Sequence, residues 1–416
     1  MKNKPVQMFI VGLLLLVTLV PITLAAPAAP LTKPMLYLWN SDTLEDARQK
    51  VQSGDPGVYR QAVNFLKLEA DAALLQGPFS VTYKKSTPRS GDKHDYVSVG
   101  IYWWPNPDTP SGLPYVRRDG QVNPEVNGDT FDKTSIGKMS SSVQTLALAY
   151  TLTRQDNYAE HAAKLLKVWF LNPATRMNPN LQFGQSVPGK TDGRAEGIVE
   201  TITFTNVCEA ASLLVGSAYW SETDQNGLKV WMGDYLKWLL ESPIGKDEAN
   251  AKNNHGTWYD VQVVYYALFS GQKDLAQKLL TQNSEMRIIS QIDPNGQMPG
   301  EISRTRSFHY PLYNLRAFIS LAILGNQAGC DLWHYQSNDG RSIKKALDWL
   351  VPYLDGSTPW PYAQILEENE SSAAFYLRAA GAAYNDNRYF VAADKLLGKD
   401  SLTSRSNLIG PRPPVK

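Results

Sequence analysis

The chain has 416 residues, 19% of them charged, and a formal net charge of +1, so no global field draws it to nucleic acid or to an anionic membrane surface. An anionic ligand would have to be held by a local groove. Two cysteines, Cys208 and Cys330, are too few for a disulfide framework in a chain this long and are expected to stay unpaired, at least one of them buried.

In chain order, Lys2 and Lys4 precede an apolar run from Met8 to Val20 and then Ala25, Ala26, Ala28 and Ala29. This pattern predicts a signal peptide over residues 1–28 and a periplasmic or secreted mature chain. The run is shorter than the roughly 20 residues that span a bilayer, and no later stretch is long and apolar enough, so no membrane partner is expected. Residues 29–416 are then read as a single catalytic domain.

Residues 96–102 alternate like a strand and lead into Trp103-Trp104-Pro105-Asn106-Pro107. They lie in the first of two long stretches, 90–138 and 172–197, that are rich in Gly, Pro, Asn and Asp. Loops of that length in a compact domain are usually functional, and these are predicted to wall a groove. The chain's 11 Trp and 21 Tyr suit stacking on sugar rings, while core packing is the ordinary use of most of them.

Helical apolar spacing recurs over 140–152, 158–170, 200–220, 228–240, 257–269, 275–281, 310–324, 343–354, 371–384 and 389–397. Residues 148–166, 265–280 and 380–397 repeat one helix-turn-helix pattern. Hairpins that cannot each bury an apolar face must stack on neighbours, and their irregular spacing argues against an open solenoid. The predicted fold is all-α: an (α/α) toroid, an incomplete barrel of helical hairpins with long groove-lining loops.

Two short stretches carry chemistry. Asn253-Asn254-His255 precedes a predicted helix, where a helix N-terminus lowers a histidine's pKa and favours a neutral imidazole. Asn254 there fits either a helix cap or an amide donor. Further on, Arg304, Arg306, His309, Tyr310 and Tyr313 lead into the next predicted helix, as a solvated basic turn or as a site.

Together with Tyr102-Trp103-Trp104-Pro105-Asn106-Pro107, these stretches resemble the alginate lyase-like superfamily, which includes polysaccharide lyase families 5 and 38, the second being the nearer likeness. The resemblance covers about residues 97–353. It implies β-elimination at a uronic acid, in alginate above all or in glucuronan, leaving a 4,5-unsaturated sugar. It further implies His255 as base, Tyr310 as acid, and Asn254 and Arg304 as the groups that neutralise the substrate carboxylate. Tyr310 would serve as base as well where proton and leaving group share a face, given a phenol pKa lowered by Arg304. Arg306 and Tyr313 repeat the offset closely enough to be an alternative pair.

Substrate contacts are expected from Tyr102, Trp103, Trp104, Gln185, Arg194, Glu200, Tyr259, Arg306, His309 and Tyr313. The expected partner is an anionic polysaccharide. No cofactor or metal is expected, because His-Glu-x-x-His is absent and the five histidines are scattered. The rival readings are a glycoside hydrolase and a non-catalytic glycan-binding protein. Hydrolysis needs two opposed carboxylates, drawn from Asp95, Asp132, Glu196, Glu200, Asp260 and Glu301.

Overall fold

In the computed structural model, residues 1–2, 34–367 and 369–411 are described; the expected signal peptide, residues 1–2 apart, lies outside them. The three predicted hairpins set the pattern. Lys133–Thr153 turns at Arg154 (φ 60°) into Asp156–Leu166, Asn254–Phe269 at Gly271 (φ 83°) into Lys273–Leu279, and Ala374–Tyr384 at Asn385 (φ 51°) into Asn387–Leu397. A left-handed residue just past a helix end satisfies its last carbonyls and reverses the chain. Thr203–Leu213 followed by Glu222–Glu241, and His309–Ala328 followed by Ile343–Leu354, continue the alternation.

In each pair the first helix buries residues on nearly every side, while the second has a single buried stripe. The first helices therefore form an inner ring. Lys133–Thr153 packs on Thr203–Leu213, which packs on Asn254–Phe269, then His309–Ala328, then Ala374–Tyr384. Ser41–Gln52 and Arg60–Ala73 pack on Lys133–Thr153, and Ser406–Ile409 touches both of them and Ala374–Tyr384, which closes the seam. The fold is an (α/α) toroid. Thr32–Lys416 makes one compact unit, and no described helix is long and apolar enough to cross a membrane.

Several bounds differ from those predicted. Ser41–Gln52 buries only Thr43, Leu44 and Ala47, a stripe too thin to read as a helix from spacing. The stretch 200–220 splits into a 3-10 turn, Ala195–Thr201, and the helix Thr203–Leu213. Lys133–Thr153 begins inside the first predicted loop. The two loops are also stitched together: Val97–Val99 pairs in parallel with Phe183–Ser186, and Trp103–Trp104 pairs antiparallel with Val116–Arg117. Cys208 is buried and Cys330 half-buried, both as free thiols.

Candidate active site

Asn254–Phe269 starts earlier than predicted because Asn253 caps it, its side chain accepting the His255 N–H at 3.2 Å. The cap role open to Asn254 thus falls to its neighbour. Every residue of this helix is buried except His255. His255 Nδ1 lies 2.7 Å from Oε1 of Glu248, a buried carboxylate on the preceding short helix Pro243–Ala249. Arg287 clamps the intervening turn, donating to the carbonyls of Ala249 and Ala251 and to both oxygens of Asp260.

The expectation of a lowered His255 pKa is overturned. Burial does pull it down, but the charge and hydrogen bond of Glu248 more than offset this, and the net shift is upward. With Glu248 accepting from Nδ1–H, the neutral ring presents its Nε2 lone pair. The fold thus fixes which nitrogen can take a proton.

Asn254 gives its backbone N–H to Glu301 Oε1 and a side-chain N–H to Glu301 Oε2 at 2.7 Å, keeping one amide hydrogen. Glu301 also feels the charges of Arg304 and His255, so the two sequence stretches meet around it. Arg304 donates to the Tyr310 hydroxyl at 2.9 Å, and its guanidinium sits 4.0 Å from that ring's centroid. Asp119, from the first long loop, holds Arg304 at 2.8 Å, and the Tyr102 and Tyr310 hydroxyls are 3.0 Å apart. The Tyr310 phenol is not lowered as the dual role requires: burial and the Tyr102 hydrogen bond raise it, and Arg304 opposes them without reversing the shift. A phenol so raised keeps its proton near neutral pH.

The alternative pair, Arg306 and Tyr313, shows no such hydrogen-bonded chain through Tyr313 among the described residues. Tyr313 stacks on His309 and tilts against Trp258, and the backbone of Arg306 bridges to Gln364. His309 bonds Glu370 at 2.7 Å. Tyr259 is buried with its hydroxyl on the Leu239 carbonyl, and Glu200 is occupied by Tyr96, Ser98 and Lys133, so neither side chain is offered to a sugar. Gln185 sits at φ 46° and accepts two hydrogen bonds from Arg194, which also pairs with Glu196. Gln185 thus positions Arg194 and does not itself reach outward.

Trp103 and Trp104 are half-buried, with Lys190 4.5 Å from the Trp103 ring centroid and Arg118 5.0 Å from that of Trp104. A Cβ on Gly100 would come within 2.5 Å of Trp103 Cδ1, so the missing side chain lets the indole fold back on the turn that precedes it. Sequence reasoning missed Glu248, Asp119 and Lys190. Among the described residues no cluster of three metal-ligating side chains occurs.

The profile of the alginate lyase family matches residues 80–360. The chain belongs to the alginate lyase family. It is similar to an alginate lyase from Bacteroides ovatus, with 38% identity over 90% of this chain and 99% of that one, at a TM-score of 0.85. It also shares its fold with alginate lyase A1-III from Sphingomonas species A1, at 18% identity and a TM-score of 0.56 over 89% of this chain and 95% of that one. A histidine-to-alanine variant of A1-III in complex with a tetrasaccharide has a TM-score of 0.55 at 17% identity, over 86% of this chain and 94% of that one. No curated protein matches the chain.

As a member of the alginate lyase family the protein is an enzyme, a polysaccharide lyase. The carboxylates considered for hydrolysis fit that identity, because each is tied down. Asp95 takes Ser90, Asn178 and Asn180, Asp132 takes Lys84 and Val97, and Asp260 takes Arg287. Glu196 pairs with Arg194, and Glu301 with Asn254.

Proposed function

We propose that this lyase is exported and cleaves alginate, or a related polyuronate, by β-elimination within the groove walled by the two long loops. The reading rests on the hydrogen-bonded chain Asp119–Arg304–Tyr310–Tyr102 and on an imidazole whose Nδ1 is committed to Glu248, the two stretches being tied by the hydrogen bonds of Asn254 to Glu301. Elimination needs the uronate carboxylate neutralised before the weakly acidic C5–H can be removed. The spare amide hydrogen of Asn254 and the Arg304 guanidinium supply that.

The C5 proton then passes to His255 Nε2. Its electron pair forms the C4–C5 double bond as the C4–O4 bond breaks. Tyr310, protonated at rest, gives its proton to the departing O4, and Arg304, already bonded to that oxygen, stabilises the phenolate left behind. Trp103 and Trp104 serve as stacking surfaces, with Lys190, Arg194 and Arg118 as cations beside them for further carboxylates.

The test is incubation with alginate, polymannuronate, polyguluronate and glucuronan while following ultraviolet absorbance of the unsaturated ends. A gain on at least one polymer is expected. New reducing ends without that absorbance would overturn the reading in favour of hydrolysis, and binding without either signal would make the chain a glycan-binding protein.

A further inference from the structure

At the seam of the toroid is a cavity of about 500 Å³ that the lyase chemistry leaves unused. Three polar side chains from three different inner helices line it: Gln144 from Lys133–Thr153, Asn206 from Thr203–Leu213 and Arg316 from His309–Ala328. Arg316 stands six residues beyond Tyr310 on one helix, about 9 Å further along its axis. No carboxylate pairs with Arg316 among the described residues, and its Nε is inaccessible without a hydrogen-bond acceptor. Its guanidinium rests instead between the rings of Tyr313 and Tyr376, at 5.5 and 5.2 Å from their centroids.

The terminal nitrogens of this guanidinium make no hydrogen bond or ion pair with any described residue, and they are the groups an acceptor in the cavity would engage. The other charges on the wall supply no such acceptor. Arg405 and Glu69 neutralise each other at 3.0 Å, and Asp400 is exposed. The remaining wall offers two carboxamides suited to hydroxyl groups, and the aromatic faces of Trp39, Phe375 and Tyr376. We propose that this cavity is a second binding site, separate from the cleavage site, for a small sugar acid whose carboxylate is taken by Arg316 and whose hydroxyls are taken by Gln144 and Asn206. The volume is that of a small-molecule site.

Isothermal titration with sodium D-glucuronate tests this, because a free monosaccharide has no glycosidic bond to cleave and the result does not depend on the lyase assay. Saturable binding to the wild type is expected, with no saturable heat from glucose. Arg316→Gln is expected to weaken it at least tenfold and Asn206→Ala severalfold, while Tyr310→Phe leaves it unchanged. No binding, binding of glucose with equal affinity, affinity that survives Arg316→Gln, or affinity that falls in Tyr310→Phe would each overturn the proposal. Should Arg316→Gln not fold, as read by circular dichroism, full affinity in Asn206→Ala and in Gln144→Ala would do so.

Discussion

Tyr310 and His255 have opposite support: a cation lies against the phenol oxygen and an anion against the imidazole. Tyr310→Phe keeps the ring against Arg304 and removes only the O–H. Loss of a positioned acid is expected to lower kcat by about 10²–10⁴-fold with little change in KM, read from the rate of unsaturated-product formation. A rate within a few-fold of wild type would reassign the acid. For His255 the pH profile is the sharper probe. The ring must be neutral to accept a proton, so activity falls as pH drops through its raised pKa. Glu248→Gln removes the charge that raises it, and the acid limb is expected to move to lower pH; an unmoved limb would place the base elsewhere. The Arg304–Tyr310 contact was within reach of the sequence because the two residues lie six positions apart in one motif, whereas their reading together with His255 came from the family resemblance and not from either motif alone. Glu248 carries no motif of its own, and Asp119 lies 185 positions from Arg304, a contact that only the folded loop creates.

The start of Asn254–Phe269 is the element on which His255 depends, and it is packed from below as tightly as it is capped from above. A Cβ on Gly256 would come within 2.2 Å of Arg287 Nη1 and 2.3 Å of the Ala251 carbonyl oxygen. Arg287 cannot give way freely, because it holds Asp260 and the carbonyls of the turn that carries Glu248. Gly256→Ala is therefore expected to cost about 1–3 kcal/mol, seen as a lower urea midpoint, and to reduce turnover by shifting His255 against Glu248. An unchanged midpoint would mean that the turn is looser than its contacts imply. The inner-to-outer hairpins could be read from the chain because their reversals use polar turns between apolar runs. The N-terminal helices could not. Arg60–Ala73 buries mostly alanines, and its place is set by packing across the seam.

Closing the ring is a property of the whole molecule, and one buried carboxylate ties the N-terminal segment to the inner ring. Glu209, on the inner helix Thr203–Leu213, accepts the backbone N–H groups of Tyr37, Leu38 and Trp39 and the Tyr265 hydroxyl. A toroid was legible from hairpin repetition, but not how its ends meet, since nothing in the sequence marks Glu209 as more than one acid in an apolar helix. Burial raises its pKa to about 7, against which those hydrogen bonds pull down. An unfolded glutamate titrates near about 4.3, so between these values the folded chain binds more protons than the unfolded one. Stability from this group is thus complete below about 4.3 and is lost as pH rises through about 7. Asp132, raised by burial to about 7, adds the same sign. Asp119 and Asp224 are lowered by their hydrogen bonds and cations despite burial, and act in the other window, losing their contribution as pH falls into the carboxylate range. The melting temperature of the wild type is expected to decline from about pH 5 to about pH 7, and Glu209→Gln, which cannot ionise, to show a shallower decline with a lower melting temperature at the acid end. Equal slopes in the two proteins would mean that Glu209 keeps an ordinary carboxylate pKa in the folded chain.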